Sequence, residues 1–218
     1  MAYQLSPREN FLEMQRGGNP ERFVNQYEYL ALVPNPIMCA AEPPAHPGDP
    51  DSADGWGVWH RWEPGQPGSF PLHDDAHLVV KDIETWRDVV KMPQTDYPEE
   101  AWAPFVAMAE GVDRTQQFCT AMIVPGIFER AHHLMKIDEA LLNFYEEPEE
   151  MHAIIEYITD YEMKVAEGVC KYLKPDAVFR HDDWGSQLST FMSPDMFEEF
   201  LLEPYKKLYG YYKDHGVG

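Results

Sequence analysis

Apolar residues recur at spacings of three and four along Pro148–Leu173, where Met151, Ile154, Ile155, Ile158, Val165, Val169 and Leu173 share one face. Glu149 and Glu150 fall in the first turn, Lys171 and Lys174 at the last, and Pro175 follows. This spacing predicts a long amphipathic helix whose end charges suit its dipole. A different pattern holds at Gln117–Val124, a mostly apolar run closed by Pro125-Gly126, and it predicts a strand buried on both faces. Ala177–His181 reads as a second interior strand that runs straight into Asp182-Asp183-Trp184-Gly185. Near the start, Ser6, Pro7 and Glu9 form the signature of a helix N-terminus, with a stop at Gly17-Gly18. Phe23-Val24 begins a short extended segment. Asp82 can cap a helix through Val90, and further helices are expected near Ala101–Gly111, Phe128–Met135 and Asp138–Glu146, the last two broken near Lys136. A final helix starts at Ser193-Pro194-Asp195, is kinked at Pro204 and stops at Gly216. Between these elements, residues 34–75 hold nine of the nineteen prolines together with Trp56, Trp59 and Trp62. So long an irregular excursion, with so many aromatics, is expected to be ordered and to cover something.

Strand and helix in alternation imply an α/β fold of parallel βα units. Only about three such units can be counted, where a closed eightfold barrel takes about 250 residues. Val217-Gly218 stands where another strand is due, so the chain is expected to be incomplete: residues 1–218 make one domain, the N-terminal portion of a larger barrel. Charge narrows the function. The formal net charge is −21 and no basic cluster appears, which disfavours nucleic acid and anionic membranes as partners. The start, Met-Ala-Tyr-Gln-Leu-Ser-Pro, lacks the pattern of a signal peptide, and no apolar run approaches the roughly 18 residues of a membrane span. A cytoplasmic protein is expected, with Cys39, Cys119 and Cys170 as reduced thiols.

Several segments, in order, resemble the uroporphyrinogen decarboxylase superfamily. They are S-P-R-E-N-F-L-E-M-Q-R-G (Ser6–Gly17), D-G-W-G-V (Asp54–Val58), P-G-I-F-E-R (Pro125–Arg130), D-A-V-F-R-H-D-D-W-G-S-Q (Asp176–Gln187) and F-M-S-P-D-M-F-E-E-F (Phe191–Phe200). The resemblance implies a (β/α)8 TIM-barrel fold and an enzyme, either a decarboxylase of tetrapyrrole synthesis or a cobalamin-dependent methyltransferase. The decarboxylases carry an arginine-rich R-P-V-W-x-M-R-Q-A-G-R-Y stretch that grips the substrate's carboxylates. Here the corresponding residues are Glu21-Arg22-Phe23-Val24-Asn25-Gln26-Tyr27, and a chain of net charge −21 repels an octa-anionic porphyrinogen. The methyltransferase-like branch is therefore favoured. It implies methyl transfer between a small-molecule donor or acceptor and a corrinoid, as methylcobalamin or on a corrinoid protein. Zinc, which that branch commonly holds with a His-x-Cys and a later Cys, is expected to find its ligands beyond residue 218 and none within this chain.

Asp182 and Asp183 are the leading site candidates, because strand C-terminal ends face the active site of a parallel barrel. Adjacent carboxylates can bind a cation or orient an amine or water, and repulsion raises the pKa of one; alternatively they cap backbone amides. If Asp183 points inward, strand alternation makes His181 its companion rather than Asp182. Gln187 can offer an amide to a ligand. Trp184, Trp56 and Trp59 can wall a flat ligand, although packing is the commoner use of tryptophan. Asp54 reads as a loop cap first and a pocket carboxylate second. Glu129, His132 and His133 share one helical face, where a histidine can orient substrate; exposed helix histidines are the plain alternative. His46, His60, His73, His77, His152 and His215 form no arrangement in the sequence. Two rivals stand beside methyl transfer. Uroporphyrinogen decarboxylation needs anion-binding arginines, for which Arg8, Arg16, Arg22 and Arg130 are available, and an eroded barrel can serve as a non-catalytic acidic interaction protein. Open sheet edges predict self-association.

Overall fold

A computed structural model describes residues 4–43 and 45–218; Met1–Tyr3, the start of the stretch without a signal-peptide pattern, and Pro44 of the excursion lie outside the described residues. In chain order the elements are α1 (Pro7–Gln15), α2 (Gln26–Tyr29), β1 (Leu30–Val33), α3 (Pro36–Ala41), the short strands β2 (Ser52–Ala53), β3 (Trp59–Arg61) and β4 (Phe70–Pro71), then α4 (Trp86–Val89), α5 (Glu99–Glu110) and β5 (Phe118–Ile123). There follow α6 (Ile127–Met135), α7 (Ile137–Glu146), α8 (Pro148–Gly168), β6 (Ala177–Arg180), α9 (Pro194–Phe200) and α10 (Leu202–Asp214). The strands β1, β5 and β6 lie side by side in that order and run parallel. With their connecting helices they make a partial barrel-like α/β arrangement. Among the described residues no closed barrel forms.

Register assigns the faces. Leu32, Thr120 and Ala177 stand in one row, and Met122 pairs with Phe179. The opposite face carries Cys119, Ala121 and Ile123, all buried against helices. Met122 and Phe118 are only half-buried, so β5 is fully covered on one face rather than on the two its apolar run predicts. The apolar stripe of α8 is buried from Met151 to Ala166 and packs on α6, α7 and α10. Gly168 is where α8 meets α5: a Cβ there would stand 2.5 Å from the Trp102 ring. Beyond it the helix loosens into a π-helical turn, Val169–Leu173, closed by Lys174 in the left-handed region.

Three expectations shift. The extended segment lies at Leu30–Val33 rather than at Phe23-Val24, and Phe23 is 87% exposed. Asn25 and Glu28 form a capping box that starts a helical turn first. The last helix breaks at Leu201 rather than at Pro204, because the proline has no N–H to offer the carbonyl four residues earlier. The excursion is less irregular than its prolines suggest. It contains α3 and the antiparallel sheet β2-β3-β4, and buries Trp56 and Val58 in the core. Among the described residues no helix is long and apolar enough to cross a membrane.

Candidate functional site

The loops after β5 and β6 meet at the C-terminal ends of the parallel strands. After β5 the chain passes through a cis Val124-Pro125 bond and Gly126 into α6. After β6, His181 and Asp182 both reach Glu129 of α6, by different atoms. Asp182 turns to the helices, where its carboxylate accepts the Glu129 N–H at 2.8 Å, the Phe128 N–H at 3.4 Å and the Tyr205 hydroxyl. It thereby caps α6, and a Cβ on Gly126 would run into its carboxyl. Burial pushes the Asp182 pKa up, while the Glu129 amide and the Arg180 charge pull the other way.

His181 is half-exposed, its Nδ1 2.8 Å from Glu129 Oε2. Glu129 is buried, and its second oxygen lies 3.8 Å from His133 Nε2. Burial raises the Glu129 pKa against the opposing pull of His181. Burial lowers that of His181, but the Glu129 hydrogen bond and charge, with Asp183 and Asp182, outweigh it and hold the imidazole above its ordinary value. Asp183 is exposed, and its charge reaches Glu129, His181 and His132.

On the other side of Glu129 lies a cavity of about 240 Å³, walled by Glu42, Asp54, His60, Ser69, Glu129 and His133, with Trp62, Val124 and Pro125. Asp54 combines both roles foreseen for it. Its Oδ1 accepts the Trp56 and Val58 amides at 2.8 and 2.9 Å, and its Oδ2 takes Arg130 Nη1 at 2.8 Å with His60 Nε2 at 3.3 Å. Arg130, 3% exposed, also pairs with Glu42, and burial brings its pKa down to about 10. His132 is buried with Nε2 unpartnered, and burial pulls its pKa down to about 4. His133 is pushed well below the ordinary value, by burial first and then by Arg130 and the neighbouring histidines.

Glu42, Asp54 and His60 bring ligand atoms within 4.8 Å of one another, the one such group among the described residues. It lacks a thiolate, and Arg130 already occupies both carboxylates. Cys119 faces the helix layer, and Cys39 and Cys170 are half-buried elsewhere. These residues do not fit the zinc site of the methyltransferase branch.

The structure thus gathers His181, Glu129, Asp182 and Asp183 at one mouth and Asp54 in the adjoining cavity. Trp184 lies on the same loop, edge-on to Phe197 and Tyr205, and Gln187 is exposed on the turn that follows. Trp56 is 2% exposed and packs against Tyr157 and Tyr161 in the core, while Trp59 sits on β3 beside His77. Glu42, His60 and His133 were not foreseen as a group. One signal existed: Asp54-Gly-Trp-Gly-Val-Trp-His60 is a turn with glycines at two positions, and its fold-back brings His60 to Asp54.

The family model described as uroporphyrinogen decarboxylase (URO-D) matches residues 72–217, well over half of the chain. No curated protein and no solved structure matches it. The matched stretch holds β5, α6, β6 and the His181–Gly185 loop, whereas Glu42, Asp54, His60 and Ser69 precede it. On that match, the chain belongs to the uroporphyrinogen decarboxylase family.

Proposed function

We propose that the protein transfers a methyl group between a small substrate and a corrinoid, with His181 and Glu129 as the proton-handling pair. Family membership points to an enzyme of decarboxylase or methyltransferase type. The observation that favours methyl transfer is the state of the arginines: every one is ion-paired to a carboxylate of this chain. Arg8 and Arg114 hold Asp176, which precedes β6 and so lies at the other end of the strands. Arg130 is committed to Glu42 and Asp54, and no lysine lines the cavity. A substrate with many carboxylates finds carboxylates here, and the repulsion is costly in a partly buried site.

A corrinoid, when bound, supplies the cobalt that gives or takes the methyl. An exposed apolar rim supports this reading. Trp184 is 37% and Leu188 95% exposed on the loop after β6, an apolar edge for either a free corrinoid or one carried by a partner protein. Within the chain, Glu129 holds His181 by Nδ1 and leaves Nε2 to give or take a proton at a substrate heteroatom. Asp182 fixes α6, and with it Glu129, against β6. Asp183 adds the charge that orients the small substrate.

The test is a titration with methylcobalamin followed by corrin absorbance, with uroporphyrinogen turnover measured beside it. Saturable perturbation of the corrin spectrum, weakened in Asp183→Ala, is expected. Decarboxylated porphyrin without corrin binding would overturn the reading in favour of the decarboxylase, and silence in both assays would favour the non-catalytic one.

A further inference from the structure

We infer that Tyr205 is a positioning residue of the site: from α10 its hydroxyl holds the Asp182 carboxylate on the first turn of α6, and so keeps Glu129 set against the His181 imidazole. For turnover the inference rests on the methyl-transfer reading, but the arrangement stands on its own geometry. The Asp182 carboxylate divides its oxygens. Oδ1 takes the Glu129 N–H, and Oδ2 takes the Phe128 N–H together with the Tyr205 hydroxyl. The amide held by Oδ1 belongs to the residue whose side chain meets His181 at 2.8 Å. A shift of Asp182 therefore moves the Glu129 backbone, and Glu129 is the partner that orients the ring. The carboxyl also lies directly on the Gly126 backbone, where no Cβ would fit, so its seat on α6 is close-packed.

The tyrosine is built to hold one position. It is 4% exposed, so its hydroxyl has no bulk water to turn to, and a buried phenol is nearly always bonded. Phe197 and Tyr209 lie parallel to its ring at 6.1 and 5.7 Å between centroids, and Trp184 meets it edge-on at 5.2 Å. Burial alone does not dictate the bond: further along α10, Tyr212 is equally buried and its hydroxyl has no partner. A competitor for Asp182 stands beside it. Arg180 of β6 lies 5.8 Å over the Tyr205 ring, gives Nη1 to Glu162 of α8, and keeps Nε and Nη2 buried and unpartnered. Two free guanidinium donors attract a carboxylate. With the hydroxyl in place Asp182 stays on α6; without it, the carboxylate is drawn toward Arg180 and α6 loses its cap. The charged and titratable groups around Asp182 are Arg180 on β6, His181 and Asp183 on its own loop, Glu129 on α6 and Tyr209 on α10, with Glu162 of α8 behind Arg180. Those facing His181 are Glu129, Asp183 and Asp182. Burial opposes the charged imidazole, and Glu129 is the strongest of the groups that favour it, so a Glu129 that leaves the ring makes His181 a weaker base.

An NMR titration of the full chain, without substrate or corrinoid, tests the role. The His181 ring signal, identified by its loss in His181→Gln, is expected to titrate lower by about half a pH unit or more in Tyr205→Phe, which keeps the ring and its stacking. Tyr212→Phe removes the hydroxyl that has no partner from the same helix, and is expected to leave His181 unchanged. An unmoved His181 in folded Tyr205→Phe, or an equal fall in Tyr212→Phe, would overturn the inference. The unaltered chain gives a second reading that needs no variant to fold: the Tyr205 ring Cζ signal is expected to follow the Asp182 titration, and indifference to it would equally overturn the role. In turnover Tyr205→Phe is expected to lower kcat with KM little changed, because the hydroxyl acts through Asp182; a rise in KM alone would place the hydroxyl on the substrate instead. A His181 shift in a chain that transfers no methyl group would preserve the positioning role and remove the activity proposed above; methyl transfer with His181 indifferent to Tyr205 would do the reverse.

Discussion

His181 and Glu129 face one another at 2.8 Å with both pKa values raised, so the charged pair exists in a window bounded by the two titrations. As pH falls through the raised Glu129 value the carboxylate is protonated and the attraction is lost. As pH rises through the His181 value the imidazolium is lost. What the pair adds to stability on the histidine side is full below the ordinary histidine pKa and disappears as pH climbs through the elevated one. Asp183 and Asp182 on the same loop are the other charges that face the ring, and both favour the imidazolium. The pH–rate profile is therefore expected to have its basic limb above an ordinary histidine's. Glu129→Gln is expected to move that limb to lower pH, and a limb that stays in place would separate His181 from the proton step.

At the scale of elements, the sharpest joint is Lys136, where α6 gives way to α7 at φ 79 and ψ 157. That region of backbone space is almost reserved for glycine. Lys136→Gly is expected to stabilise the chain by about 1 kcal/mol, read as a rise in the urea midpoint; a fall would show that the lysine side chain does more than occupy the joint. The sequence announced the break but not its geometry, since an interrupted apolar period says nothing of φ. It announced α8 and β5 for the opposite reason: their apolar runs are long enough for periodicity to speak. Leu30–Val33 is four residues after a capped turn, and it becomes a strand only because Leu30 through Val33 find Phe118 through Ala121 far along the chain. The same distinction governs the site. That a strand delivers His181 and Asp182 to the loop at its C-terminal end was legible, because the apolar run before them marks β6. That Glu42, His60 and His133 line one cavity depends on the excursion folding back onto α6, which no local pattern encodes.

For the whole molecule, β1 and β6 are the two edges of an open parallel sheet among the described residues, and one face of that sheet carries half-buried Met122 and Phe179. Unpaired edges and a partly bare apolar face drive association, while a charge of −21 opposes it. The 218-residue chain is expected to self-associate in light scattering, and more strongly as salt screens the repulsion; a monodisperse monomer at high salt would count against this. A buried ion cluster fastens the Pro/Trp-rich excursion to α6. Arg130, rooted in α6, holds Glu42 and Asp54 at the two ends of the segment that leads from α3 into the β2-β3 turn. Its replacement by Gln leaves two carboxylates without their counter-charge, at a cost of about 3 kcal/mol that falls on this segment first. Release of Asp54 then frees the β2-β3 hairpin whose turn it begins, and trypsin reports it: cleavage after Arg61, at the end of β3, is slow while the fastener holds and fast once it is gone, at protease concentrations that leave the helices of the core uncut.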